Sequence, residues 1–219
     1  MRRPKLAYIV SHPIQYQAPL FRYINEHSNI DLTVLYQSDV SLKPYFDAQM
    51  GTQVQWDVDL LGGYKHQFLP MVGSNAVTNF GPVNYGVHAV LSDGGYDALW
   101  THGYAHPVTW RGLAAARRLG MKTMVRIEST DEVALRRGLS SRVKESMLNW
   151  LFQRVDAFLS IGSLNRDYFI KRGVPAEKVF MVPYSVDNQF FQAKVGEARA
   201  GREGLRMDLG LQPGRPVIL

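Results

Sequence analysis

The chain has 219 residues, of which 46% are hydrophobic and 20% are charged, and its formal net charge is +6. This is enough apolar material for one sizeable core, so the composition excludes intrinsic disorder and fibrous repeats, and no apolar stretch approaches the roughly 20 residues of a membrane-spanning helix. The sequence contains no cysteine, which excludes disulfides, thiolate metal sites and cysteine nucleophiles.

Seven short apolar segments predict the strands of a parallel sheet. They are residues 6–10, 32–36, 66–69, 96–101, 122–127, 157–161 and 179–182. Helical spacing follows the first segment, and a second predicted helix at residues 110–119 ends at Gly120, in the position of a C-cap. Strands that are apolar throughout need cover on both faces, because neither face meets water. The pattern therefore predicts an α/β fold with a doubly wound, mostly parallel sheet of about seven strands flanked by helices.

Two segments depart from this pattern. Residues 38–96 are rich in glycine and aromatics and predict long loops with one short helix near residues 83–91. Near the C-terminus, a Pro/Gly turn precedes residues 217–219, which look like the opening of a buried strand. We therefore expect a fragment that is inactive alone, with one domain at residues 1–190 and the linker helix and first strand of a truncated second domain at residues 191–219.

The positive charge is concentrated in residues 111–154, which carry ten basic and four acidic residues. Inside this window, residues 142–155 predict an amphipathic basic helix. Ordinary packing onto the sheet with a solvated outer face is one interpretation, and docking on an anionic bilayer is the other. Nucleic acid is not expected as a partner, because the window lacks the regularly interleaved aromatics of a stacking platform. The docking interpretation uses Arg136, Arg137, Arg142 and Lys144.

Polar side chains follow five of the predicted strands at their carboxyl ends, where open parallel sheets bind ligands. They favour a pocket for a hydroxyl-rich molecule, although any single residue after a strand is often only a turn former or a helix cap. We expect His12, His102 and Glu128 to border one cleft at this edge. The candidates are Ser11, His12, Gln15 and Tyr16 after the first strand, His102 and Tyr104 at the fourth, Arg126, Glu128 and Ser129 at the fifth, Asn165 after the sixth and Tyr184 after the seventh.

No cofactor or metal is expected. His102 and His106 are four residues apart, but Gly103 and Pro107 disfavour the helix that would place both on one face, and no third ligand has motif spacing. Neither a GxGxxG nor a GxxxxGK[ST] motif is present, which argues against a self-contained dinucleotide or P-loop site. His12 fits a general base or a positioning hydrogen-bond donor, and a purely structural role is equally open.

Five motifs together resemble the amino-terminal half of bacterial family 4 (group 1) glycosyltransferases. They are SHPIQYQAP at 11–19, WDVDLLGGY at 56–64, RIES at 126–129, GSLN at 162–165 and PYSVD at 183–187. The resemblance implies the GT-B architecture, in which two Rossmann-like domains face each other. In that architecture this chain would be the acceptor-binding domain, and the nucleotide-sugar donor would bind mainly to the carboxyl-terminal domain.

The resemblance also implies a reaction and residue roles. The protein would transfer a sugar from a nucleotide sugar to a hydroxyl of a glycan or lipid-linked acceptor with retention of anomeric configuration and without a metal, in polysaccharide or glycoconjugate synthesis. His12, His102 and Glu128 would be catalytic by positioning the substrates, and the acceptor-binding residues would be Ser11, Gln15, Tyr16, Tyr104, Arg126, Ser129, Asn165 and Tyr184. Relatives often carry a histidine and an acid after the fifth strand, where this chain has Arg126 and Glu128.

Two further points stay open at the level of sequence. A GT-B epimerase or phosphorylase is the alternative enzyme, and a non-catalytic basic binding module is the alternative of another class. The start of the chain lacks the apolar length and cleavage site of a signal peptide, which predicts a cytoplasmic protein, with peripheral contact at the inner face of the membrane as a variant.

Overall fold

A computed structural model describes residues 2–47, 51–78, 81–130, 139–212 and 215–217 of the chain. The chain is divided into two compact units, residues 1–185 and residues 186–219. In the described residues no helix is both long enough and apolar enough to cross a membrane.

The larger unit is built on a seven-stranded sheet whose strands lie within two residues of the predicted bounds. The strands are β1 (Lys5–Val10), β2 (Asp31–Tyr36), β3 (Lys65–Phe68), β4 (Ala98–His102), β5 (Lys122–Arg126), β6 (Ala157–Ser160) and β7 (Val179–Met181). The helices of this unit are α1 (Gln17–His27), α2 (Val87–Gly94), α3 (Pro107–Arg118), α4 (Leu139–Phe152) and α5 (Ser163–Lys171).

The strand order across the sheet is β7-β6-β5-β4-β1-β2-β3, and every neighbouring pair is parallel. All seven carboxyl ends therefore lie at the same edge. Tyr8 of β1 lies opposite Trp100 of β4, and His102 of β4 lies opposite Arg126 of β5. The order reverses between β1 and β4, which is where open sheets of this type bind ligands. The predicted doubly wound, Rossmann-like fold is confirmed.

Strand β1 shows how both faces of the sheet are covered. Ala7 and Ile9 pack into a core with α2, α3, α4 and α5, whereas Leu6, Tyr8 and Val10 belong to a second core. The second core is closed by Phe21 of α1. Successive side chains of a strand point to opposite faces, so a strand buried on both sides must be apolar at every position. This requirement is the reason that β1 reads as a continuous apolar run.

The segment between β2 and β4 is more ordered than the predicted long loops. Residues Tyr45–Asp47 pair antiparallel with Thr52–Val54, and Met71–Val72 pair antiparallel with Val83–Asn84. The predicted short helix is α2, which begins at Val87 because residues 83 and 84 are taken up by the second hairpin. Strands of two or three residues are too short for hydrophobic alternation to reveal them in the sequence.

The smaller unit contains α6 (Asn188–Ala198), a 3₁₀ turn (Arg199–Gly201) and α7 (Arg202–Asp208). The carboxylate of Asp187 accepts a hydrogen bond from the backbone N–H of Phe190 and so caps the start of α6. Helix α6 spans residues 190 and 191, between which the domain boundary is predicted from the sequence. Residues 218 and 219 of the expected last strand lie outside the described residues.

Candidate functional site

The carboxyl ends of β4, β5 and β7 bring three predicted site residues into contact. His102 ends β4, Glu128 lies two residues beyond β5 and Tyr184 three beyond β7. Nε2 of His102 is 3.1 Å from Oε1 of Glu128, and the Tyr184 hydroxyl donates to the same oxygen. The hydroxyl also lies 3.4 Å from Nε2 of His102. We call these three residues the His102 cluster.

Tyr8 of β1 contacts the His102 cluster from a buried position in the sheet. Its hydroxyl is 2.8 Å from Nδ1 of His102, and its ring stacks on Trp100 with 4.0 Å between centroids. Tyr8 is only 1% exposed, and this burial raises its pKa well above the usual value, so the hydroxyl keeps its proton. Because the ionised Glu128 carboxylate can only accept, Nε2 of His102 is the donor to it, and in a neutral ring Nδ1 then accepts from the Tyr8 hydroxyl. Glu128 therefore fixes the proton of His102 on Nε2, and Tyr8 holds the ring at Nδ1.

Glu128 is the ionised centre of the His102 cluster. The hydrogen bond from His102 is the largest cause that lowers its pKa, and the bond from Tyr184 adds to it, so the pKa falls to about 2. The side chain is still 53% exposed, and its second oxygen, Oε2, accepts no hydrogen bond from the described residues. At neutral pH this oxygen can accept a hydrogen bond from a ligand hydroxyl.

Arg126 lies beneath the cluster rather than on its surface. The side chain is 2% exposed, its Nη2 donates to the carbonyl oxygen of Val182 at 2.9 Å, and its guanidinium carbon lies 4.1 Å from the centroid of the Tyr184 ring. The buried cation thus ties the end of β5 to the segment after β7 and holds the Tyr184 ring over it. In this conformation Arg126 is placed to orient Tyr184.

Tyr16, from the turn before α1, also reaches this group. Its ring meets the Tyr184 ring edge to face with 5.3 Å between centroids. Burial is the largest cause that raises the pKa of Tyr16, and the charge of Glu128 raises it further. Tyr16, Tyr184 and Glu128 therefore form one continuous wall of hydroxyl and carboxylate groups.

His12 lies at the same edge of the sheet but in a different set of contacts. Its Nδ1 is 2.9 Å from the Ser11 hydroxyl, and the described hydrogen bonds join it to neither His102 nor Glu128. Burial lowers the pKa of His12, and the nearby His106 lowers it further, so His12 is neutral at pH 7. The expectation that His12 and Glu128 border one cleft stays a prediction.

The other predicted residues are spread along the edge. Asn165 is 1% exposed, and its Nδ2 donates to the carbonyl oxygen of Ser129 at 2.8 Å, so these two residues brace the loop after β5 against α5. Gln15 is exposed. The ring of Tyr104 lies 5.5 Å from Nζ of Lys144. None of the four is joined by a described hydrogen bond to the His102 cluster.

Tyr8 is the residue that sequence reasoning missed. A tyrosine inside an otherwise apolar buried strand must find a partner for its hydroxyl, and that requirement is the signal that could have revealed it. Which partner it finds depends on the pairing of β1 with β4, which places Tyr8 beside the residues that lead to His102. Within the described ranges no three His, Asp or Glu side chains are grouped closely enough to hold a metal ion.

A family model and several solved structures are similar to this chain. The model of the glycosyl transferase 4-like domain matches residues 67–185, a stretch that includes His102, Arg126, Glu128 and Tyr184. A crystal structure of Anabaena Alr3699/HepE in complex with UDP and glucose is 12% identical with a TM-score of 0.53, and the match covers 94% of this chain and 50% of that one. No curated protein sequence matches the chain.

Two UDP-N-acetylglucosamine 2-epimerases share the fold to a similar degree. The enzyme from Neisseria meningitidis bound to UDP-GlcNAc is 13% identical with a TM-score of 0.56, and the match covers 94% of this chain and 54% of that one. The enzyme from Rickettsia bellii is 14% identical with a TM-score of 0.53, with coverage of 96% and 52%. The chain therefore spans about half the length of these structures, and identities this low show the fold alone.

These findings agree with the resemblance of the sequence motifs and with the observed Rossmann-like sheet. Because the family model matches more than half of the 219 residues, the chain is a GT-B glycosyltransferase-like domain that belongs to the glycosyl transferase 4-like family.

Proposed function

We propose that this chain is the acceptor-side domain of a retaining glycosyltransferase that acts in polysaccharide or glycoconjugate synthesis in the cytoplasm. The observation that carries the proposal is an ionised Glu128 that contacts His102 and whose Oε2 accepts no hydrogen bond from the described residues, at the ligand-binding edge of a glycosyl transferase 4-like domain. A carboxylate with an open oxygen orients an acceptor hydroxyl by accepting its hydrogen bond.

In the proposed reaction the bond between the anomeric carbon of the donor sugar and the diphosphate breaks. A bond between that carbon and the acceptor oxygen forms on the same face, and the proton of the acceptor hydroxyl leaves with the diphosphate. The roles of His102 and Glu128 are to hold the acceptor oxygen and the sugar together on that face, so neither has to act as a strong base. No metal or other cofactor takes part in this proposal.

The ligands bound in the similar structures support a nucleotide-sugar partner. Anabaena Alr3699/HepE was crystallised with UDP-glucose, and the epimerase from Neisseria meningitidis with UDP-GlcNAc. The same epimerases favour a second candidate, in which the protein epimerises a nucleotide sugar. Transfer and epimerisation differ in one measurable respect, because only transfer consumes an acceptor hydroxyl.

The test incubates the full-length protein with UDP-, GDP- and dTDP-sugars and a panel of glycan and lipid-linked acceptors. We expect acceptor-dependent release of nucleoside diphosphate, a product whose anomeric configuration matches the donor by NMR, and a loss of at least about a hundredfold in kcat/KM for Glu128→Gln. An isomerised nucleotide sugar that forms without acceptor would establish the epimerase instead. A protein that releases no diphosphate and isomerises no sugar would refute both candidates.

We infer further that the outer face of α4 touches an anionic membrane, where a lipid-linked acceptor would lie. Val143, Met147 and Trp150 are spaced four and three residues apart on one helix face, and each is 42–64% exposed. On the other side of α4, Leu148, Leu151 and Phe152 are buried in the core. The helix therefore carries more apolar surface than the sheet covers.

The positive charge near this face of α4 indicates that its partner is an anionic membrane. The guanidinium of Arg154 stacks on the Trp150 ring at 4.1 Å, and residues 111–154 carry a large basic excess. Of the basic residues named for docking, Lys144 is exposed, Arg136 and Arg137 lie outside the described residues, and so does the side chain of Arg142. Each exposed basic side chain near such a surface contributes about 1 kcal/mol.

Co-sedimentation with phosphatidylcholine vesicles, with and without phosphatidylglycerol, tests this contact. We expect binding that needs phosphatidylglycerol and falls about fivefold for Arg154→Gln, the equivalent of about 1 kcal/mol. Trp150→Ser should weaken binding as well, whereas Tyr23→Ser, which changes an equally exposed ring on α1, should not. Binding that is unchanged by Trp150→Ser, or that needs no anionic lipid, would leave α4 as ordinary scaffold.

A further inference from the structure

A pocket of about 250 Å³ opens beside the loop that follows β1. One of its walls is Ser41, a buried residue whose hydroxyl donates to the carbonyl oxygen of Pro13 at 2.6 Å. Pro13 directly follows the predicted site residue His12, so this hydrogen bond joins the wall of the pocket to the predicted acceptor-binding loop. Lys43, Gln55, Trp56 and Asp59 also line the pocket.

The wall formed by residues 56–64 is held in a defined shape. Oδ1 of Asp59 accepts hydrogen bonds from the backbone N–H groups of Leu61 and Gly62 at 3.0 and 2.9 Å. Arg22 of α1 donates to the carbonyl oxygen of Asp59 at 2.9 Å. A Cβ atom at Gly62 would lie 2.0 Å from Oδ2 of Asp59, so glycine is needed there to keep the carboxylate in place. The pocket is therefore preorganised, which reduces the entropy lost on binding.

The chemistry of the lining selects the class of ligand. An indole ring is a rigid apolar surface, and Lys43, Gln55 and Asp59 supply a donor, an amide and an acceptor beside it. One cation and one anion leave the lining without a net charge, whereas a phosphate group would need an excess of cations. A sugar ring matches this lining, because one face of it presents C–H groups and its rim presents hydroxyls.

We propose that this pocket binds one hexopyranose ring. Its volume lies just below the range of about 300–1,000 Å³ in which drug-sized ligands bind, so it is suited to a single ring. The motif at residues 56–64, which the proposed reaction leaves unused, then has a role as the wall of this subsite. That the bound ring belongs to the acceptor rests on the proposed function, whereas the binding itself does not.

The Trp56 indole N–H reports on the pocket directly. Its nitrogen is buried and has no hydrogen-bond partner in the described part of the chain, so its NMR signal should be sharp and slow to exchange. The protein has four tryptophans, and Trp56→Phe identifies the signal by deleting it. The ¹⁵N-labelled protein is titrated with the methyl α-glycosides of glucose, galactose, mannose and N-acetylglucosamine. We expect at least one of them to shift this signal with saturation in the millimolar range, whereas the signal of Trp150 stays in place.

Variants and a control ligand make the test specific. Asp59→Asn keeps an oxygen for the turn but removes the charge, and it should weaken binding about fivefold, the difference between a charge-assisted and a neutral hydrogen bond. Glycerol has hydroxyls but no ring and should not shift the Trp56 signal. A Trp56 signal that no glycoside shifts, or that glycerol shifts equally, would overturn the proposal.

The outcome is independent of the transferase assay. If a glycoside saturates the Trp56 signal but the full-length protein transfers no sugar, the subsite stands and the proposed function fails. If the protein transfers sugar while the Trp56 signal stays in place throughout the titration, the subsite alone is refuted.

Discussion

Removing the Tyr8 hydroxyl tests the hydrogen-bond chain that runs from Tyr8 through His102 to Glu128. Tyr8→Phe deletes a donor that is 2.8 Å from Nδ1 of His102 in an almost fully buried position. A buried hydrogen bond contributes about 0.5–1.5 kcal/mol net, and an acceptor left without a partner costs about 1–3 kcal/mol. The His102 side chain is 19% exposed, so water recovers part of this loss. We expect the free energy of unfolding to fall by about 1–2 kcal/mol.

A double-mutant cycle isolates the pair. Urea unfolding of Tyr8→Phe, His102→Leu and the double variant should give a coupling energy of about 1 kcal/mol. Tyr36→Phe is the matched control, because Tyr36 is also buried but its hydroxyl contacts Tyr64 rather than His102. This control should lower stability without coupling to His102→Leu.

The ¹⁵N spectrum of the His102 ring provides the structural readout. In the unaltered protein Nε2 should carry the proton and Nδ1 should show the shift of a hydrogen-bonded acceptor. In Tyr8→Phe the Nδ1 resonance should move toward that of an acceptor without a partner, while Glu128 keeps the proton on Nε2. A coupling energy within about 0.3 kcal/mol of zero, together with an unmoved Nδ1 resonance, would refute the chain from Tyr8 to Glu128.

Three further outcomes follow from the geometry. Glu128 has a folded pKa of about 2 against an ordinary value of 4.5, so the stability that its charge contributes is present above pH 4.5 and is lost as the pH falls toward 2. Across that window the unfolding free energies of the unaltered protein and of Glu128→Gln should converge, by less than about 1 kcal/mol because the side chain is half exposed. Parallel curves of unfolding free energy against pH would contradict this. A Cβ at Gly112 would lie 2.8 Å from Cδ1 of the buried Ile9, so Gly112→Val should lower the free energy of unfolding by about 1–3 kcal/mol in thermal unfolding. An unchanged Tm would argue against the close packing of α3 on β1. Gly103 has φ +72°, so Gly103→Ala should cost about 1 kcal/mol in urea unfolding. Gly196→Ala, at a helical position of α6 with open space around it, should cost nothing, and equal costs would be inconsistent with the left-handed turn.

The sheet, and the position of His102 and Glu128 at one edge of it, could be predicted from the sequence, for a local reason. A strand buried on both faces must be apolar at every position, so each strand stands out as a short continuous run. Polar residues directly after parallel strands must meet at one edge, whatever the strand order is. His102 and Glu128 follow neighbouring strands at that edge, and the structure places them in contact.

The partners of these residues were decided only by the tertiary structure. The sequence marks Arg126 as a polar residue at the end of a strand, but its burial under Tyr184 depends on the segment after β7 folding back over β5. Tyr8 becomes part of the site only because β1 pairs with β4.

Helix α4 shows the same division. The apolar spacing of this segment predicts an amphipathic helix, but the sequence does not reveal how wide a stripe of that helix the sheet covers. The fold buries Leu148, Leu151 and Phe152 and leaves Met147 and Trp150 exposed. Apolar periodicity follows from local geometry, whereas the choice of buried face follows from which surfaces the rest of the chain brings against the helix.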